Sequence, residues 1–224
     1  MAIQELVHIS AGPARMEGML ELSTHPIGVV LFAHGSGSSR LSPRNNYVAG
    51  VLREAGIGTL LLDLLTPGED RLYDNRFNIP LLTERLGVAA SWLRQYPATA
   101  DRQLGLFGAS TGAAAALQLA ARPDADIAAV VSRGGRPDLA GPEALQTVRA
   151  PTLLIVGGDD DVVIELNRRA LAELRSEKQL VIVPGATHLF EEPGALDEVA
   201  RLAREWFERY LTFAAGSGTP GRGR

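Results

Sequence analysis

Two kinds of apolar pattern take turns along the chain. Short apolar runs lie at 28–33 (GVVLFA, wholly apolar), 58–62 (GTLLL), 103–107 (QLGLF), 127–131 (IAAVV), 152–156 (TLLIV) and 180–183 (LVIV). They show no period-two alternation, so they predict strands buried on both faces, as in a parallel sheet. Segments of helical character separate them, at 47–55, 80–95, 111–121, 142–148, 163–174 and 194–213. Two further strands, 5–9 and 16–22, precede the first run. Strands alternating with helices predict right-handed crossovers and an open α/β sheet. The last helix carries Leu196, Val199, Ala200, Leu202, Ala203, Trp206, Phe207 and Leu211 at near-helical spacing, a stripe that packs one face. The segment 113–121 is nearly all Ala and Leu and is expected to lie buried against the sheet.

Ligands of open α/β sheets bind at the carboxyl ends of the strands. Chemistry-bearing residues stand just after the apolar runs: His34-Gly35-Ser36-Gly37, Asp63, Gly108-Ala109-Ser110-Thr111-Gly112, Arg133-Gly134-Gly135, Asp159-Asp160-Asp161 and His188.

Composition narrows the chemistry. The 224 residues are 46% hydrophobic and 21% charged, with a formal net charge of −4. That mild acidic excess gives no reason to expect nucleic acid or an anionic membrane as partner. No apolar run is long enough to span a bilayer. Cysteine is absent, which excludes disulfides, thiolate metal sites and cysteine nucleophiles. Lys178 is the only lysine, which speaks against Schiff-base chemistry. The histidines are scattered, so no metal site is expected. The first residues lack a basic stretch before an apolar run, so the expected location is cytoplasmic. One domain, residues 1–215, is expected, with 216–224 (GSGTPGRGR) a flexible tail.

Gly108-Ala109-Ser110-Thr111-Gly112 is a G-x-S-x-G sequence between a strand and a helix, the context of a nucleophile elbow. Small flanks let strand and helix approach. Ser110 would project above the sheet, with the Thr111 N–H free to face an oxyanion. An activated serine needs a base, and histidine suits neutral pH. His8 and His25 lie far from any strand's carboxyl end, and His34 precedes a Gly-rich loop; His188 follows the last strand. An acid between Ser110 and His188 is offered by Asp159, Asp160 or Asp161, with Asp138 and Asp63 in reserve. The same aspartates also suit the N-terminus of the helix that follows.

In these motifs and their order the chain resembles the α/β-hydrolase superfamily, and within it the dienelactone-hydrolase-like branch. The likeness runs from about Gly28 to Leu211. It implies a mostly parallel central sheet of about eight strands with helices on both faces. It implies Ser110 as nucleophile, His188 as base and Asp160 as acid, from the Gly157-Gly158-Asp159-Asp160-Asp161-Val162-Val163 arrangement. It also implies Ser36, after His-Gly, as a second backbone oxyanion donor beside Thr111. Dienelactone hydrolases proper use cysteine; serine here favours a serine esterase. No insertion is long enough for a cap domain.

The expected function is hydrolysis of small carboxylic esters or lactones through an acyl-enzyme, with no cofactor, by a monomer or small homo-oligomer. Acyl transfer, perhydrolysis or thioester cleavage at the same triad, and a non-catalytic scaffold binding a ligand or partner, are the alternatives. Arg133 is expected at the rim, either contacting a carboxylate-bearing substrate or paired structurally with Asp138. The loops around the site carry Arg40, Arg44, Arg71, Arg76, Arg133 and Arg136 against few large apolar residues, which suits short acyl groups.

Overall fold

The computed structural model describes residues 2–211. The expected tail at 216–224 and the last residues of the expected final helix lie outside them.

Eight strands form one sheet: β1 (Ile3–Ala11), β2 (Ala14–Leu22), β3 (Val29–Ala33), β4 (Gly58–Leu62), β5 (Leu104–Ala109), β6 (Ile127–Arg133), β7 (Thr152–Gly157) and β8 (Lys178–Val183). Their spatial order is β1-β2-β4-β3-β5-β6-β7-β8. β2 runs antiparallel to both β1 and β4, and every pair from β4 across to β8 is parallel. In β2 alternate residues are buried, the period of a sheet with one wetter face. From β3 to β7 the strands are buried on both faces, apart from the first residues of β6, which is why their sequences read as unbroken apolar runs.

The two faces feed separate cores. Val29, Leu31 and Ala33 of β3 join Leu60, Leu62, Leu104 and Leu106 under α3 (Ile79–Gln95), α4 (Thr111–Ala120), α5 (Pro142–Thr147) and α6 (Asp161–Glu173). Val30 and Phe32 point the other way and meet Phe107, Val131 and Ile155 beneath α1 (Pro43–Glu54) and α7 (Ala195–Tyr210). α4 is almost wholly buried, as its Ala/Leu composition predicts.

Two segments differ from their expected form. α1 begins at Pro43 rather than at 47, because the Ser42 hydroxyl accepts the Asn45 N–H and Pro43 needs no N–H of its own at a helix start. The stretch 66–79 contains a single helical turn (Pro67–Asp70, α2), closed by a reciprocal Thr66–Glu69 cap, and a 3-10 turn (Tyr73–Phe77). No described connection forms a cap domain, and among the described residues no helix is long and apolar enough to cross a membrane. Lys178 opens β8 beside Thr152, at the end of the sheet opposite the strands' carboxyl ends.

Candidate active site

Ser110 joins β5 to α4 with φ 50° and ψ −120°, a conformation that L residues rarely adopt. Holding it there costs of order 1–3 kcal/mol, which the surrounding packing must over-determine. Two glycines allow that packing. A Cβ on Gly108 would meet the Ala113 Cα at 2.4 Å, and one on Gly112 would meet the Ala33 carbonyl oxygen at 2.2 Å. The backbone around Ser110 is pinned to the loop after β6: its N–H donates to the Arg133 carbonyl at 3.2 Å, and its carbonyl accepts the Arg136 N–H at 3.0 Å. Thr111 is the first residue of α4, and the first N–H groups of a helix have no partner within it.

The histidine loop is stitched to the end of β7. The Asp159 N–H donates to the Ala186 carbonyl at 3.0 Å and the Gly158 N–H to the Val183 carbonyl at 2.8 Å. The Glu192 carboxylate accepts the Thr187 N–H at 3.1 Å and its hydroxyl at 2.6 Å, which holds the Glu192 carboxyl below its usual range. His188 Nδ1 lies 2.7 Å from Asp160 Oδ2. A carboxylate accepts, so Nδ1 carries a proton, and in the neutral ring Nε2 has a free lone pair. Asp160 is the residue before α6 but its side chain makes no capping bond, which leaves it for the histidine. Asp159 and Asp161 are exposed. The reserve acids are engaged elsewhere: Asp63 binds the Arg40 guanidinium at 2.6 Å, and Asp138 binds Arg136 at 2.8 Å.

Gly134 lies beside His188 and directly follows Arg133, whose carbonyl accepts the Ser110 N–H. A Cβ on Gly134 would lie 3.5 Å from the imidazole. Among the described residues no hydrogen bond joins Ser110 Oγ to His188. Ser36 is exposed, in the loop whose Gly35 packs against Ser110: a Cβ on Gly35 would lie 3.0 Å from the Ser110 Cβ.

Arg133 stands differently from its expected place at the rim. It is the last residue of β6 and only 7% exposed. Its partner is not Asp138: one terminal nitrogen donates to Asn45 Oδ1 at 3.3 Å, the guanidinium stacks 6.0 Å from the Phe190 ring centre, and Nε has no partner. Burial, with the like charge of Arg44 behind it, pushes its pKa down to about 10. The other rim arginines are largely neutralised, Arg40 by Glu17 and Asp63, Arg44 by Glu191, Arg76 by Asp70 and Arg136 by Asp138. Leu41, Leu72, Tyr73 and Phe77 on the same loops are exposed.

The site's wider support includes two residues that local pattern does not reveal. Asn167 of α6, fully buried, donates to the Gly135 carbonyl at 3.0 Å. His34, also buried, accepts the Leu64 N–H at Nε2 (3.1 Å) and lies 2.9 Å from the Gly35 carbonyl oxygen through Nδ1. Among the described residues no group of His, Cys, Asp and Glu could hold a metal ion.

A mostly parallel eight-stranded sheet with a strained serine turn and a carboxylate-bound histidine at the strands' carboxyl ends defines an α/β-hydrolase. The chain belongs to the dienelactone hydrolase family, whose sequence pattern matches residues 67–215. A crystal structure named as the dienelactone hydrolase of Anabaena variabilis is 54% identical, with a TM-score of 0.90 over 94% of this chain and 99% of that one. A curated Mycobacterium tuberculosis protein, whose name proposes a phosphoribosyl transferase, is 57% identical over 214 residues, 96% of this chain. The chain spans about half the length of that relative, 48% of it. Est1E of Butyrivibrio proteoclasticus shares the fold at 14% identity, with a TM-score of 0.79 over 92% of this chain and 98% of that one.

Proposed function

We propose that the chain is a serine hydrolase that cleaves small carboxylic esters or lactones through an acyl-enzyme. Ser110 attacks the acyl carbonyl. His188 Nε2 takes its proton and returns it to the leaving alcohol, while Asp160 holds the imidazole in the Nδ1–H tautomer. The Ser36 and Thr111 N–H groups receive the oxyanion, and water then releases the acid. Neither step calls for a cofactor. The observation that carries this reading is the 2.7 Å bond between Asp160 and His188, on a loop that packs on Gly134, while the strained Ser110 donates its N–H to the neighbouring Arg133 carbonyl.

Family membership and the 54% identical Anabaena protein support ester or lactone cleavage. Serine in place of the cysteine of dienelactone hydrolases proper inclines the site to esters. The phosphoribosyl transferase name belongs to a protein about twice as long, and this chain is proposed as a hydrolase half of that architecture. Arg133, buried without an anion, is proposed to face a negatively charged group on the substrate. A cytoplasmic location and a monomer or small homo-oligomer complete the proposal.

The test is labelling by a fluorophosphonate probe together with p-nitrophenyl acetate turnover. Ser110→Ala is expected to abolish labelling and to lower kcat by about 10⁴–10⁶ with the fold unchanged. A folded Ser110→Ala enzyme with near-wild-type turnover, or a wild-type protein that neither labels nor hydrolyses, would overturn it.

A further inference from the structure

His34 is a buried imidazole with both nitrogens engaged, yet the proposed reaction does not use it. The Leu64 N–H can only donate, so Nε2 is the acceptor; Nδ1 therefore carries the hydrogen and donates to the Gly35 carbonyl. The ring is thus a neutral strut between the loop after β4 and the loop after β3, segments 30 residues apart. The same carbonyl accepts the Ser38 N–H at 3.2 Å, closing a tight turn in which Gly37 has φ 68°. Two donors therefore hold the Gly35 oxygen from its own side. The peptide unit is planar and trans, so fixing the direction of that C=O fixes the Ser36 N–H in the opposite direction.

We propose that His34 is a positioning residue which, through the Gly35 carbonyl, aims the Ser36 N–H at the oxyanion. The proposal rests on the serine-hydrolase reading. The strut works only as the neutral ring, since a doubly protonated imidazole cannot accept the Leu64 N–H. Its surroundings are mixed in charge. Asp63, Asp70 and Glu17 face the adjoining cavity of about 240 Å³, with Arg15 and Arg40 beside them. Desolvation by burial nevertheless outweighs the neighbouring carboxylates and lowers the His34 pKa, so the neutral form persists below the usual histidine range.

Two amide substitutions separate the ring's two bonds. Asparagine places an N–H₂ near the Nδ1 position and keeps the donor to Gly35. Glutamine places an oxygen near Nε2 and keeps only the acceptor for Leu64. His34→Leu keeps neither. An oxyanion donor acts in the transition state, and losing one outright costs about 10²–10³ in kcat. His34→Leu and His34→Gln are therefore expected to lower kcat by roughly 10–10²-fold, part of that full loss, with KM little changed. His34→Asn is expected to recover most of kcat. Affinity for a boronic acid, which mimics the tetrahedral intermediate, is expected to fall in step with kcat/KM. Melting temperature is measured on every variant, and Ser110→Ala is assayed alongside. If Ser110→Ala abolishes turnover while folded His34→Leu and His34→Gln retain wild-type kcat, the positioning role is wrong and the hydrolase reading stands. If Gln rescues kcat and Asn does not, the Leu64 bond matters and the Gly35 bond does not, which also overturns the proposal. If Ser110→Ala keeps turnover, the hydrolase reading itself has failed.

Discussion

Gly112→Ala adds one methyl group at the tightest crossing of backbone on backbone in the site. The new Cβ would sit 2.2 Å from the Ala33 carbonyl oxygen, 2.6 Å from that of His34 and 2.7 Å from the Ala33 carbonyl carbon. All three are backbone atoms, so no side chain can swing clear. Non-bonded atoms settle near 3.5 Å, so α4 and the end of β3 must part by about 1 Å. Overpacking of this kind costs about 1–3 kcal/mol. In a chain of this size each kcal/mol lowers Tm by about 2–4 °C, so a fall of roughly 2–12 °C is expected. The displaced parts carry Ser110 on one side and the Gly35–Ser36 peptide on the other, and a misplacement of about 1 Å can cost about 10² in rate. Circular dichroism melting and kcat on p-nitrophenyl acetate read the two effects. Gly50→Ala is the control. It lies within α1, its Cβ would meet nothing closer than the Arg53 guanidinium at 3.9 Å, and removing a helix-interior glycine should stabilise by about 0.5–1 kcal/mol without touching kcat. A Gly112→Ala protein that melts and turns over like wild type would refute the steric account of the elbow.

Asp160→Asn is expected to lower kcat by about 10³–10⁴, since the amide favours the wrong His188 tautomer. Asp159→Asn and Asp161→Asn should cost far less, and a larger effect at either would reassign the acid. Arg133→Met is expected to raise KM for an ester bearing a remote carboxylate or phosphate while leaving a neutral ester unchanged. Equal KM changes for both esters would assign Arg133 to structure alone. Across p-nitrophenyl esters kcat/KM should peak between acetate and butyrate, because with no cap an added methylene recovers little of its ~0.8 kcal/mol burial energy. A profile still rising at octanoate would show that Leu41, Leu72, Tyr73 and Phe77 form a working apolar groove.

The strands were legible because a doubly covered parallel sheet writes itself as unbroken apolar runs. The serine turn was legible because its steric demands force small residues at Gly108 and Gly112. Other features depend on contacts that sequence spacing does not encode. The N-terminus of α1 carries its signal in Ser42-Pro43, but polar Arg44, Asn45 and Asn46 break the apolar period there. Arg133 reads as a surface charge, and only the packing of Asn45 and Phe190 about it shows its burial. His34 offers no base by its place before a Gly-rich loop, and its bond to Leu64 joins segments that no window of sequence spans. Among the three adjacent aspartates the resemblance singles out Asp160; that its carboxylate lies 2.7 Å from His188 while Asp159 and Asp161 are exposed follows from the turn from β7 into α6, which spacing alone does not encode.

The solitary Lys178 has a practical corollary. Lys178 is exposed on the outer edge strand, where β8 begins, with its ammonium donating to the Leu174 carbonyl, while the serine and histidine stand where the strands end. Apart from the chain's terminal amine, an amine-selective reagent such as an aldehyde with a mild reductant meets one address, at the opposite end of the strands from the site. Coupling through it to a bead, a surface or a fluorophore would orient every molecule alike, with the reactive end toward solvent. The sheet thus carries its own handle, separated from the chemistry by the length of its strands.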